Sequence, residues 1–91
     1  LEPQQSKLFV RRGKIRQVMG QYAPAIADFD AAIALDPKNA ELHYLRGLVS
    51  RLAGDQERAN ADFQRAIELD PAHVGALNSR GAMLAAKGEH D

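Results

Sequence analysis

The chain has no cysteine, no tryptophan and only five aromatic residues among its 91, two Tyr and three Phe. Without cysteine there is no disulfide framework, no thiolate metal site and no Cys nucleophile. A cysteine-free chain folds as well in the cytosol as in the periplasm, so the cytoplasm is only a default expectation. Scarce aromatics beside abundant Ala and Leu favour helices over a sandwich or barrel. No apolar run approaches the length of a membrane span, and the N-terminus lacks a signal-peptide pattern; a soluble chain is expected. One-signed charge is missing too. Twelve basic residues balance twelve acidic ones, so no net field draws the chain to nucleic acid or to an anionic membrane.

Features of catalysis are equally sparse. His43, His73 and His90 show none of the i, i+4 spacing that two metal ligands on a helix would use. Ser6, Ser50 and Ser79 have no nucleophile-elbow context. The glycines recur at a fixed long spacing instead of clustering in a phosphate-binding loop. Neither a catalytic residue, a metal nor a cofactor is expected, and the chain reads as a non-enzyme.

What the sequence does contain is repetition. Residues 27–37 read ADFDAAIALDP, and 34 positions later residues 61–71 read ADFQRAIELDP. Residues 6–39 and 40–73 are identical at 13 of 34 positions, and the identities fall on residues that set packing and turns. In this register Leu1-Glu2-Pro3 falls on Leu35-Asp36-Pro37, so residues 1–5 read as the tail of a preceding repeat or as a cloning remnant. The units that follow are 6–39, 40–73 and a truncated third over 74–91.

Within each unit the punctuation predicts two helices. Ser6 is an N-cap candidate for a helix over 6–19, with Leu8, Ile15, Val18 and Met19 at helical spacing and Gly20 as a left-handed C-cap. Pro24 sits in the first turn of a second helix, where its missing amide is tolerated. That helix carries Ala25, Phe29, Ala32 and Ile33 on one face, and Pro37 stops it. Asn39 caps the next helix over 40–53, closed by Gly54; Asp55 or its neighbour caps its partner, which carries Ala59, Phe63, Ala66 and Ile67 and stops at Pro71. A third first-type helix spans 74–87 and ends at Gly88.

A 34-residue period of helix pairs, with glycine, alanine, phenylalanine and proline all in register, resembles the tetratricopeptide repeat family over the whole chain. The motif residues are Gly13, Gly47 and Gly81, Gly20, Gly54 and Gly88, Ala25 and Ala59, Phe29 and Phe63, Ala32 and Ala66, Pro37 and Pro71. Phe9, His43 and Leu77 stand where the family favours Trp, and Arg16, Ser50 and Leu84 where it favours Tyr. The resemblance implies an all-α fold, a right-handed α-α superhelix of antiparallel helix pairs. Gly13 and Gly47 lie inside helices, where Gly costs about 1 kcal/mol against Ala. Close approach of a neighbouring helix at Ala25 or Ala59 is the expected offsetting gain, with Phe29 and Phe63 filling the gap between units.

Two charge patterns compete for attention. Arg11, Arg12, Lys14 and Arg16 spread over more than half of a helix circumference and do not form a nucleic-acid stripe. Arg12, Arg46 and Arg80 each precede a motif glycine, and Asp28 and Asp62 recur on the second helices, which predicts an internal Arg–Asp ladder.

In the helix over 40–53, Leu42, Leu45, Val49 and Leu52 form one core stripe, with Tyr44 and Leu48 beside it. In the family the first helices line a concave, partner-binding face. Carried over by register, that face comprises Lys7, Val10, Lys14, Gln17, Tyr44, Leu48, Arg51, Asn78 and Ala82. An apolar anchor ringed by cations suits a peptide or helix of another protein, of acidic and apolar character. The Lys and Asn pattern with which some family members clamp chaperone tails is not met: Val10 stands at the first Lys, Lys14 at the Asn and Ala82 at a later basic residue. The function implied is a protein–protein interaction scaffold with no chemistry of its own. The alternative is self-assembly into a homo-oligomer through the stacking ends, where Met83 and Leu84 should be exposed.

Overall fold

The fold begins from the turns. Gly20 and Gly54 adopt φ of +78° and +90°, the left-handed region that a side chain resists, and each reverses the chain after a first-type helix. A computed structural model describes residues 3–88, which form five α-helices: α1 (Pro3–Val18), α2 (Tyr22–Leu35), α3 (Ala40–Leu52), α4 (Gln56–Leu69) and α5 (Val74–Gly88). The Leu1–Glu2 part of the N-terminal expectation, and His90, lie outside the described residues. Among the described residues there is no strand.

Capping explains most helix boundaries. The Asn39 side chain accepts from the Glu41 amide at 3.0 Å, and Asp55 accepts from the Arg58 amide at 3.1 Å. At α5 the same place is taken by His73, whose Nδ1 accepts from the Ala76 amide at 3.0 Å. An accepting Nδ1 leaves the proton on Nε2, which donates to Glu41 Oε1 at 2.7 Å. His73 thereby ties the start of α5 to the start of α3. His43 is structural as well: its Nε2 donates to the Pro37 carbonyl at 2.9 Å from a buried position.

The start of α1 departs from expectation. Ser6 is not an N-cap; it lies inside the helix and is buried. The residue in register with the Asn39 cap is Gln5, whose longer side chain caps poorly, and Pro3 is pre-organised for a helix's first turn. The helix therefore runs back to Pro3.

Each helix packs on its chain neighbours, α1 on α2, α2 on α3, α3 on α4 and α4 on α5, in an elongated body of about 46 × 28 × 16 Å. Such nearest-neighbour stacking makes stability a sum over units and their interfaces. The core follows from the repeat: Ala25, Phe29, Ala32, Ala59, Phe63 and Ala66 on the second helices have no exposed surface. Phe29 clusters with Ala25, Leu45 and Val49 and so joins α2 to α3, as the spacing predicts.

The motif glycines work differently from expectation. What meets Gly13 is not the backbone near Ala25 but the face of Phe29, 3.0–3.2 Å from where a Cβ would stand. At Gly47 the Phe63 ring comes within 2.7 Å of that point and the Asp62 Cβ within 3.1 Å. The glycine is a seat for a ring. Gly81 has nothing within 4 Å and makes no such approach. Opposite signs follow for one substitution. Gly81→Ala should stabilise by up to about 1 kcal/mol through helix propensity. Gly47→Ala should destabilise, because overpacking of about 1–3 kcal/mol outweighs that gain. Paired thermal melts check the prediction.

The apolar residues at helical spacing in α1 do not all face the core. Leu8, Ile15, Val18 and Met19 are exposed, whereas Leu42 and Val49, in register with Leu8 and Ile15, are buried, Val49 in the cluster with Ala25 and Phe29 of α2. Among the described residues no helix lies on the corresponding side of α1. Leu52 likewise leaves the stripe of Leu42, Leu45 and Val49 and is about half exposed.

The Arg–Asp ladder has two rungs. Arg12 reaches Asp28 at 2.8 Å, supported by Arg16 at 3.1 Å. Arg46 reaches Asp62 at 2.7 Å and also Asp30 at 2.9 Å, so it bridges α2, α3 and α4. No third rung forms among the described residues, and the Arg80 Nε is buried without an acceptor. Hydrogen bonds from Arg12 hold the Asp28 carboxyl below the usual carboxylate range; burial opposes this, and the charges of Arg12 and Arg16 assist it. A depressed folded-state pKa adds stability that is complete above the unfolded value near 3.9 and fades as pH falls through the folded value. Melting temperature should therefore drop on acidification below about pH 4, and Asp28→Asn should lower it at neutral pH while shallowing that acid limb.

Candidate binding groove

Between α1 and α3, with the end of α2 behind, lies a groove of about 630 Å³. Its apolar part comes from Val10, Leu35, Leu42 and Leu45. Its α1 wall is cationic, because Lys7, Arg11 and Lys14 recur at i, i+4 and i+7 and so share one face. Asp36, Asn39 and Glu41 form the opposite rim.

Pairing sorts the cations that sequence spacing alone leaves scattered. Arg12 and Arg16 point to α2 and are tied to Asp28. Among the described residues no ion pair engages Lys7, Arg11 or Lys14. Two arginines serve the ladder, and three cations line the groove. Arg11, which is not among the residues assigned to a binding face by register, is part of the wall.

Of the nine residues that register assigned to a binding face, Lys7, Val10 and Lys14 meet in this groove. Arg51 and Ala82 line a second cavity of about 490 Å³ between α4 and the end of α5. That cavity has a sequence cause: Tyr22 and Ile26, which pack against the core one unit earlier, are replaced in register by Gln56 and Asn60, which line it. Leu48 is half-buried against the core cluster, Gln17 is half-buried on α1, and Asn78 is exposed.

Tyr44 has a structural task. Its ring lies 4.8 Å from His73 and 6.0 Å from Phe63, centroid to centroid, and a Cβ at Gly75 would stand 2.7 Å from it. It remains half-buried, wedged where α3, α4 and α5 meet, and is not a free anchor. The signal that could have revealed this was Gly75, the one α5 glycine outside the repeat register. The Arg51 guanidinium lies 5.8 Å over the Phe63 ring, a cation–π contact that holds it near the helix end.

Among the described residues no group of three or more His, Asp and Glu side chains could hold a metal ion. No helix among them is long and apolar enough to cross a membrane. The groove offers instead an apolar trough with fixed positive charge on one side, a surface for recognition.

Comparison with known proteins agrees with that architecture. No curated protein matches the chain. The model of the tetratricopeptide repeat matches residues 10–71 and again residues 53–91. Proteins of that family generally mediate protein–protein interaction. With two overlapping matches covering all but the first nine residues, and helix pairs that repeat every 34, the chain belongs to the tetratricopeptide repeat family.

Proposed function

We propose that the protein is a non-catalytic binding scaffold that holds an acidic, partly apolar segment of another protein in the groove between α1 and α3. The observation that carries this reading is the sorting of charge on α1. Lys7, Arg11 and Lys14 face the groove without ion-pair partners among the described residues, while Arg12 and Arg16 are engaged elsewhere. Val10, Leu42 and Leu45 supply the apolar contact that holds a docked side chain, and the cations steer its approach. The binding face shifts from the Tyr44 region, where the ring is wedged in packing, to the α1 side.

The test is a pull-down comparing wild type with Lys7→Glu/Lys14→Glu. Both positions are exposed and outside the ladder, so folding should be untouched. Wild type should recover partners that the charge-reversed protein loses, and recovery should weaken as salt shortens the range of the charges. Equal recovery by both would sink the groove reading.

A further inference from the structure

Both nitrogens of the His73 ring are committed, one to each of two helix starts. The Ala76 amide can only donate, so Nδ1 at 3.0 Å presents a lone pair to it. The single ring proton therefore stands on Nε2, 2.7 Å from Glu41 Oε1. The His73 side chain is only 13% exposed, and Ala76 has no exposed surface, so its amide is out of reach of bulk water. One repeat earlier Asn39 holds the same place before α3, where its side-chain oxygen accepts from the Glu41 amide at 3.0 Å. The cap of α3 cannot take up a proton. The cap of α5 is an imidazole, the side chain that ordinarily titrates at about pH 6.5.

The surroundings act on an added proton in opposite ways at the two ends of the ring. On the α3 side the Glu41 carboxylate draws positive charge toward Nε2. At Nδ1 a proton would face the Ala76 N–H donor against donor, at the positive end of the α5 dipole. The Tyr44 ring of α3 lies tilted against the imidazole at 4.8 Å. At the end of α4, Asp70 accepts the His73 amide on its carbonyl at 3.0 Å and the Ala72 amide on its carboxylate at 3.1 Å.

We propose that His73 is a proton-operated latch between successive units. Neutral, it clamps the start of α5 to the start of α3. On taking a proton at Nδ1 it keeps Glu41 and lets go of Ala76, because an imidazolium donates from both nitrogens and accepts at neither. The released amide is buried and unsatisfied, so the first turn of α5 has to move until water reaches it. Tyr44 is drawn into that movement, since its ring rests on both His73 and Gly75. The latch thereby sets how firmly the first-type helix of one unit is held to that of the unit before it.

The test is nitrogen-15 NMR of the uniformly labelled full chain, titrated from about pH 8 down to about pH 5 to bracket the ordinary imidazole range. That interval lies above the acid limb expected from Asp28, so the two effects stay apart. At the alkaline end the His73 Nδ1 signal should be that of an unprotonated nitrogen, and the Ala76 amide should be protected from solvent exchange. As the ring takes up its proton, Ala76 protection, corrected for the intrinsic pH dependence of exchange, should fall at least about fivefold, the worth of one capping bond. His73→Asn copies the α3 cap with a group that does not titrate, and should keep Ala76 protected across the whole interval. Melting temperature is a poorer readout, because it mixes the gain at Glu41 with the loss at Ala76. Ala76 protection that does not follow the ring signal would overturn the proposal, as would a ring that stays neutral to the acid end. A proton found on Nδ1 at the alkaline end, or the same loss of protection in His73→Asn, would overturn it too.

Discussion

Phe63→Ala is expected to destabilise the domain by about 3–5 kcal/mol, the range for emptying a fully buried aromatic site. Phe63 has no exposed surface, sits on Gly47, tilts against Tyr44 and lies under the Arg51 guanidinium. Its loss opens a cavity with glycine on one side, and glycine cannot extend a side chain to fill it. At roughly 4–8 °C per kcal/mol for a domain of this size, the melting temperature should fall by more than about 10 °C. The damage should also be directional. Because Tyr44 leans on both Phe63 and His73, amide exchange should quicken in α5 as well as in α4. A variant that melts within a few degrees of wild type would mean that the ring does not hold the second unit together.

Arg46→Met is expected to cost about 3 kcal/mol or more, the lower end for leaving a buried partner charge uncompensated. The Asp62 side chain is only 5% exposed, and Arg46 is the cation bonded to it. The same arginine also holds Asp30 on α2, so the substitution cuts a link between successive units. Arg12→Met should do less harm, since Arg16 remains on Asp28 and Arg12 is itself largely exposed. Adding Asp62→Leu to Arg46→Met should recover most of the loss, because an apolar pair of similar volume removes the stranded charge. Urea denaturation of the two single variants and the double variant checks this. Equal losses for Arg12→Met and Arg46→Met would contradict the backup role of Arg16. A loss of partner capture by Arg46→Met that exceeds its loss of stability would move the arginine from framework to function.

Both predictions rest on residues that repeat, and repetition is what makes a linear sequence informative here. The period of 34, the glycine turns at Gly20 and Gly54, the Asn39 and Asp55 caps and the pairing of Arg12 with Asp28 and of Arg46 with Asp62 are all legible in order along the chain. They are legible because each helix meets its chain neighbours, so register in sequence becomes register in space. The groove was legible only in part. Lys7, Val10 and Lys14 follow from register, but Arg11 could be separated from Arg12 and Arg16 only once Asp28 was seen to claim the latter two.

By itself the sequence determined the helix pairs, their turns, the alanine and phenylalanine core and the family, since these depend on local backbone preference and on a repeated face. Tertiary structure decided how those faces are used. It gave Gly47 a ring as its neighbour and Gly81 open space, although both occupy the same motif position. It wedged Tyr44 against His73 and Gly75, and it buried Leu42 and Val49 while leaving Leu8 and Ile15 exposed. The physical reason is the same each time: a residue's type and spacing define the face it belongs to, but only the presence of the next helix decides whether that face becomes core or surface.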